Sequence, residues 1–479
     1  MEARHHMVQY LVDARVNAEE TESGLTAARD VIRHAFAEFL LLPTCIITAF
    51  LLLATLTSFI DRGNIAWLEP IRSLLETYVF SDAKGTSELL STVASGLITV
   101  TTLTTSLLLI ALQQAASSLT HQVYDQFLRR RNNQFAFGFF VGLSLYALVI
   151  LASVGPVNPV FGAMVTFVLT VAALYLLLVL FYTTIDQMRP VVIIEALHDH
   201  VLAARKAQMS LIRKTRRTSC CDAPRRTQVI AARHGFVTRI DLDAIAEATA
   251  LAGAQVEIVL NVSVGDYVAF QDVLAVVKSH TDDDAIAVGK ALYAAIRRES
   301  QRDIASDPLD GIEELETIAW TSISTAQSDP DPGLLTIYNL RDVLARWSSE
   351  DNGSTDGHRV PVVYTDNVFS RLMSAFESLA VSASEAMQHQ TYAEILRTFE
   401  IMFNRLPQEQ KPRAEDLIMR MLSSLGDHVL TAELNGALSR LIDILKQAGR
   451  CETAAAMQSA QNELALSVGK LRSRASRSP

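Results

Sequence analysis

NNQFAFGFFVGLSLYALVILASVGPVNPVFGAMVTFVLTVAALYLLLVLFYTTI, residues Asn132 to Ile185, runs for 54 residues without one Asp, Glu, Lys or Arg. A bilayer core of about 30 Å takes roughly 20 apolar residues in a helix. The stretch is therefore long enough for two crossings, 134–154 and 160–185. Gly155-Pro156-Val157-Asn158-Pro159 sits where the chain would turn.

Two more segments have this character. Residues 39–60 lie between Glu38 and Asp61, and residues 89–112 follow Glu88. Lipid offers the backbone no hydrogen-bond partner, so helix is the expected state of each. Residues 36–185 thus read as a transmembrane domain of four spans, after a polar N-terminal segment, 1–35, that lacks the apolar core of a signal peptide. Arg129-Arg130-Arg131 separates spans two and three. Arg189, Arg205 and Lys206 follow span four, while the loop Asp61 to Glu88 is acidic on balance. The positive-inside rule then puts both termini in the cytoplasm, in an inner (plasma) membrane. Trp67, Leu68, Ile71, Leu74, Leu75, Tyr78 and Val79 recur at helical spacing, as in an amphipathic helix on the outer surface.

Span two is rich in hydroxyls. Thr99, Thr102, Ser106 and Gln113 share one helix face. Such a face either lines a hydrated path or packs helix against helix, with threonine hydroxyls bonding back to their own backbone. No ionisable residue falls within the spans so drawn, which weighs against an ion-coupled transporter more than against a passive channel.

Residues 186–479 carry 32 basic and 39 acidic side chains, so this half is acidic and gives a nucleic-acid role no support. Its first part, 186–227, reads as a basic juxtamembrane linker. Arg213, Lys214, Arg216 and Arg217 are candidate contacts to lipid headgroups. Residues 228–280 then read as a small β module. Thr227 to Ile240 is rich in β-formers, Asp241 is a plausible N-cap for a short helix, and Val256 to Val262 and Val273 to Val277 are strands. The order resembles half of a biotinyl/lipoyl-like sandwich, without the lysine at the turn that would make it a carrier. Residues 281–350 form an acidic helical segment with Asp282-Asp283-Asp284 at a helix start. Asp329-Pro330-Asp331-Pro332-Gly333 reads as a helix stop and rigid turn. Apolar faces at helical spacing make 360–471 a helical bundle, and 472–479 is a polar tail. The expected fold is mainly α: a four-helix transmembrane region, then a cytoplasmic α+β region of a small barrel-sandwich-like β module plus the bundle.

Several stretches carry a wider resemblance. They are LITVTTLTTSLLLIALQQAASS in span two, NNQFAFGFFVGLSLYALVIL in span three, HGFVTRIDLDAIAEAT with VGDYVAFQDVLAVV, and LDGIEELETIAWTSISTAQSDPDP. Their order resembles the domain of unknown function 2254 family of bacterial predicted membrane proteins. The chain departs from that pattern at His121-Gln122, Ser324-Thr325 and Ser328. The resemblance implies architecture and membrane location, and no activity.

No Walker A loop, dinucleotide fingerprint, nucleophile elbow or HExxH is present, and the four cysteines form no C-x-x-C pair. The sequence therefore points to no catalytic residue, metal site or cofactor. Its expected partners are membrane lipid and further copies of itself. Two functions remain open: a homo-oligomeric passive channel, with the span-two hydroxyls inward, or a non-conducting sensor or scaffold whose cytoplasmic region binds a partner or an unknown small ligand.

Overall fold

The computed structural model describes residues 40–63, 68–78, 80, 82–118, 131–155, 158–187, 189–220, 223–252, 256–300, 302–303, 306–324, 329–350, 360–425 and 428–467. The N-terminal segment 1–35, Trp67, Val79, His121-Gln122, Ser328, the linker Asn352 to Gly357 and the tail 472–479 lie outside them. The chain divides into two units, Met1–Arg189 and Pro190–Pro479.

The first unit is helical: α1 (Leu41–Arg62), α2 (Glu69–Tyr78), α3 (Ala83–Ser118), α4 (Arg131–Ser153) and α5 (Val160–Gln187). Four of these are long and apolar enough to cross a membrane: Leu41–Arg62, Ala83–Leu107, Asn133–Ser153 and Val160–Asp186. Helix α4 is central and packs on α1, α3 and α5. Its Phe140, Leu143, Tyr146 and Ile150 are fully buried. Close approach to α1 depends on Gly138, where a Cβ would stand 2.8 Å from the Pro43 Cα. The other three helices turn more of their apolar surface outward, which suits a hydrocarbon solvent.

Helix α1 runs past the position where the charge pattern ended span one. Asp61 falls in its last turn and is buried. Its carboxylate accepts the N–H groups of Phe161 (2.9 Å) and Gly162 (3.0 Å), capping α5. The first N–H groups of a helix have no partner within it, and the helix dipole favours a negative charge there. A residue assigned to the outer loop is thus a buried joint between two spans. In α2, Leu75 is buried, whereas Ile71, Leu74 and Tyr78 are exposed on one face.

The second unit opens with α6 (Pro190–Lys214). The segment read as a linker is therefore largely a helix. Ile193, Ile194, Leu197, Val201 and Ala204 form a buried face at helical spacing, packed on α9 (Pro308–Ser324) and α10 (Asp331–Ser349). Arg205, within the segment read as a basic juxtamembrane linker, is buried between Glu350 (2.6 Å) and Asp366 (2.7 Å).

Two small sheets follow. One has the order β1-β5-β3-β7, from β1 (Arg225–Ile230), β3 (Glu257–Leu260), β5 (Val273–Ser279) and β7 (Val362–Val363). The other is β4-β2-β6, from β2 (Gly235–Ile240), β4 (Tyr267–Val268) and β6 (Ile296–Glu299). All neighbours are antiparallel except β3 and β7. Helices α7 (Leu242–Leu251), capped by Asp241, and α8 (Asp282–Ala295), capped by Thr281, complete this part. The β structure thus reaches past residue 280, because β6 and β7 join it from later in the chain.

The Asp329 to Gly333 cluster lies after the end of α9 and also opens the next helix, α10. Pro330 is the N-cap of α10 with Pro332 in the first turn, where a missing N–H costs nothing. The Ser322 hydroxyl donates to the Asp329 carbonyl and accepts the Gly333 N–H. Helices α11 (Val368–Glu385), α12 (His389–Met402), α13 (Lys411–Leu425), α14 (Ala432–Gln447) and α15 (Cys451–Ser467) form the bundle around Phe369, Phe376, Tyr392, Phe399 and Phe403.

Candidate functional site

The three stretches of the second unit that carry the family resemblance meet at one place. The Gly265 N–H donates to the Val237 carbonyl and the Val237 N–H to the Asp266 carbonyl, at 2.8 and 2.9 Å. The Arg302 guanidinium lies 5.3 Å from the centre of the Phe236 ring. It also donates to Asp310 (3.1 Å) and Glu313 (2.6 Å), one turn apart on α9. Arg371 on α11 bonds Glu316 and stands 3.5 Å from Glu313.

Asp307 is the centre of this cluster. It is 1% exposed. Its Oδ1 accepts the Leu309 N–H at 2.9 Å. Among the described residues its Oδ2 has no hydrogen-bond partner, and Arg302 Nε stands 3.9 Å away. Gly265, at φ +95°, lies so close that an added Cβ would fall 2.0 Å from that oxygen. The Asp310 Oδ2 and Glu314 Oε2 atoms are likewise buried without a hydrogen-bond partner among the described residues. Burial pushes the Asp307 carboxyl up to about 7, against the pull of the Leu309 N–H and Arg302. Burial and then the charges of Asp310 and Glu313 push Glu314 up to about 7. Asp266 is raised as well, mainly by burial. Carboxyls outnumber guanidinium groups here, and burial resolves the excess by protonation near neutral pH. Among the described residues no group of three or more His, Cys, Asp or Glu side chains is disposed to hold a metal ion.

Beside the cluster lies a pocket of about 320 Å³, lined by α6, the end of β2, the start of α7 and residues 303 and 306. Lys214 is on its rim, 3.0 Å from Asp243. Of the other candidate headgroup contacts, Arg213 and Arg217 are exposed, and Arg216 bridges to Val363 with its guanidinium 3.8 Å from Glu257. The basic run therefore serves several local ends.

In the first unit the hydroxyl stripe faces away from the bundle. Thr99, Thr102 and Ser106 are exposed, as are Ser91, Ser95 and Gly96 on the same helix. Thr99 and Thr102 each donate to the carbonyl four residues back, at 3.0 Å. The side chain of Gln113 lies outside the described residues. The interior of the bundle is filled by Leu90, Phe140, Leu143 and Tyr146.

Sequence reading reached neither Arg302 nor Asp307. The available signal was the acidic excess of residues 282–351, which marks the region and no single residue. No curated protein and no solved structure matches the chain. The model of a family described as "predicted membrane protein (DUF2254)" matches residues 37–397, from the first span into the bundle. With four membrane-length helices in place, this protein belongs to the DUF2254 family of membrane proteins.

Proposed function

We propose that the protein is a multi-pass inner-membrane protein with both termini in the cytoplasm, and that copies assemble along the hydroxyl face of α3 to line a passive path for small polar solutes. One observation carries this reading. The outward surface of α3 presents Ser91, Ser95, Gly96, Thr99, Thr102 and Ser106 interleaved with Ile98, Leu103, Leu109 and Ile110, whereas α5 presents Phe167, Val168, Val171, Leu174 and Leu178. The α5 surface suits lipid. Small and hydroxyl-bearing residues suit close approach of another helix or contact with water. The packed interior of one protomer puts any path between copies.

The test uses full-length protein in proteoliposomes, with Thr102 and Ser106 both replaced by Leu, and the oligomeric mass in detergent. The reading expects a ring-forming oligomer whose solute flux falls at least about tenfold in the double variant, a barrier change of roughly 1.4 kcal/mol. A monomer, or flux indifferent to the substitutions, overturns it.

A second reading, a membrane sensor or scaffold, is favoured by the pocket beside the carboxylate cluster in the C-terminal unit. No enzymatic step belongs to either reading.

A further inference from the structure

The pocket beside β2 is lined in part by residues whose polar groups have no partner among the described residues. Strand β2 pairs with β6 at Val237–Arg298 and again at Arg239–Arg297, so Thr238 is an extra residue with no opposite number. A bulge of this kind re-aims side chains, and it places Thr238 and Arg239 on the same pocket wall. Thr238 is only 5% exposed, yet its hydroxyl has no hydrogen-bond partner among the described residues. A buried hydroxyl left unpaired costs about 1–3 kcal/mol, so a fold that keeps one calls for an explanation. Arg239 lines the pocket, is exposed, and makes no hydrogen bond or ion pair among the described residues.

The carboxylates of the wall are in a different state. Asp241 accepts the Asp243 and Ala244 N–H groups at the start of α7. Asp303 accepts the Ser306 hydroxyl at 2.8 Å. Asp243 pairs with Lys214, both well exposed, so that pair is weak and Lys214 is free to turn. One oxygen each of Asp241 and Asp303 is thus engaged, while Arg239 and the Thr238 hydroxyl are donors without a partner among the described residues. Leu211, Ile240, Leu242 and Val264 supply an apolar side.

We propose that this pocket binds a small organic oxyanion, a phosphate ester or carboxylate, with the charged end on Arg239 and the Thr238 hydroxyl and an apolar portion against Leu211 and Ile240. The assignment rests on the second reading above, that the C-terminal unit takes a small ligand, and is independent of permeation. A guanidinium receives two oxygens of such a group at once. The volume, near the lower end for ligand pockets, limits the guest to a small molecule or a single headgroup.

The test is calorimetry on full-length protein in phosphatidylcholine nanodiscs, with hexyl phosphate as probe and hexylammonium as its opposite in charge. Hexyl phosphate is expected to bind saturably, and hexylammonium not to. Arg239→Gln, at an exposed position, and Thr238→Val, which exchanges an unpaired hydroxyl for a methyl, are each expected to weaken binding about tenfold or more, the first leaving the unliganded melting curve in place and the second moving it upward. Repeating the titration with phosphatidic acid in the nanodiscs separates the sources. Competition identifies a lipid headgroup, and its absence a soluble oxyanion. Equal binding of hexylammonium, unchanged binding by both variants, or no saturable binding overturns the proposal. Since flux through the α3 face is a separate measurement, failure here leaves that reading standing.

Discussion

Asp307→Asn should make the C-terminal unit less sensitive to rising pH. The wild-type carboxyl is held at about 7 in the fold against an ordinary 3.8, chiefly by burial. Below 3.8 both the native and unfolded chains carry the proton, and the favourable contribution of the neutral group is fully present. As pH rises the unfolded chain releases its proton first, so stability is lost progressively and is gone above about 7. The whole change is about 4 kcal/mol at most, and the share between pH 5 and pH 8 is roughly 2–3 kcal/mol. Asparagine keeps the oxygen that accepts the Leu309 N–H and removes the charge. The assay is urea unfolding of full-length protein in detergent at pH 5 and pH 8. It is followed by tryptophan fluorescence in a variant with Trp67 and Trp320 replaced by Phe, leaving Trp347, which is buried against Phe369. The wild type should lose stability between the two pH values, and the variant should lose roughly 2 kcal/mol less. Equal slopes for the two proteins, or a wild type more stable at pH 8, would refute the placement of Asp307 as a buried, charge-averse carboxyl.

Gly265→Ala should destabilise the same unit by about 2 kcal/mol or more, since a Cβ would fall on the Asp307 carboxylate and the backbone is at positive φ; a lowered urea midpoint checks it. Arg205→Met leaves Glu350 and Asp366 without their cation and should cost about 3–5 kcal/mol. Adding Glu350→Gln and Asp366→Asn should recover much of that, because the penalty lies in unpaired buried charge. Gly138→Leu should loosen the membrane bundle by about 1–3 kcal/mol, read as earlier thermal aggregation in detergent, because α1 cannot retreat from the Pro43 contact without unpacking Phe50.

Elements set by local chemistry were legible in the chain. The four membrane-length helices follow from runs of uncharged residues. Asp241 caps α7 because an aspartate before an apolar helical run can take the first free N–H groups. In the Asp329 to Gly333 cluster the stop and turn are legible and the opening of α10 is not, because the same Pro and Asp residues suit both the end of one helix and the start of the next. Strands β6 and β7 escaped because two to four residues carry too little periodicity, and β7 pairs with β3 across about a hundred positions of chain.

By itself, then, the sequence determined the solvent each part requires, since the cost of placing charge in hydrocarbon is paid residue by residue and is independent of partners. Tertiary structure alone decided which polar groups lose water. It buried Asp61 on α5, Arg205 between two acids and Asp307 under Gly265, left the Thr238 hydroxyl unpaired, and turned Thr99, Thr102 and Ser106 outward. Burial and pairing depend on neighbours brought together from distant positions, and no pattern local to any one of these residues encodes them.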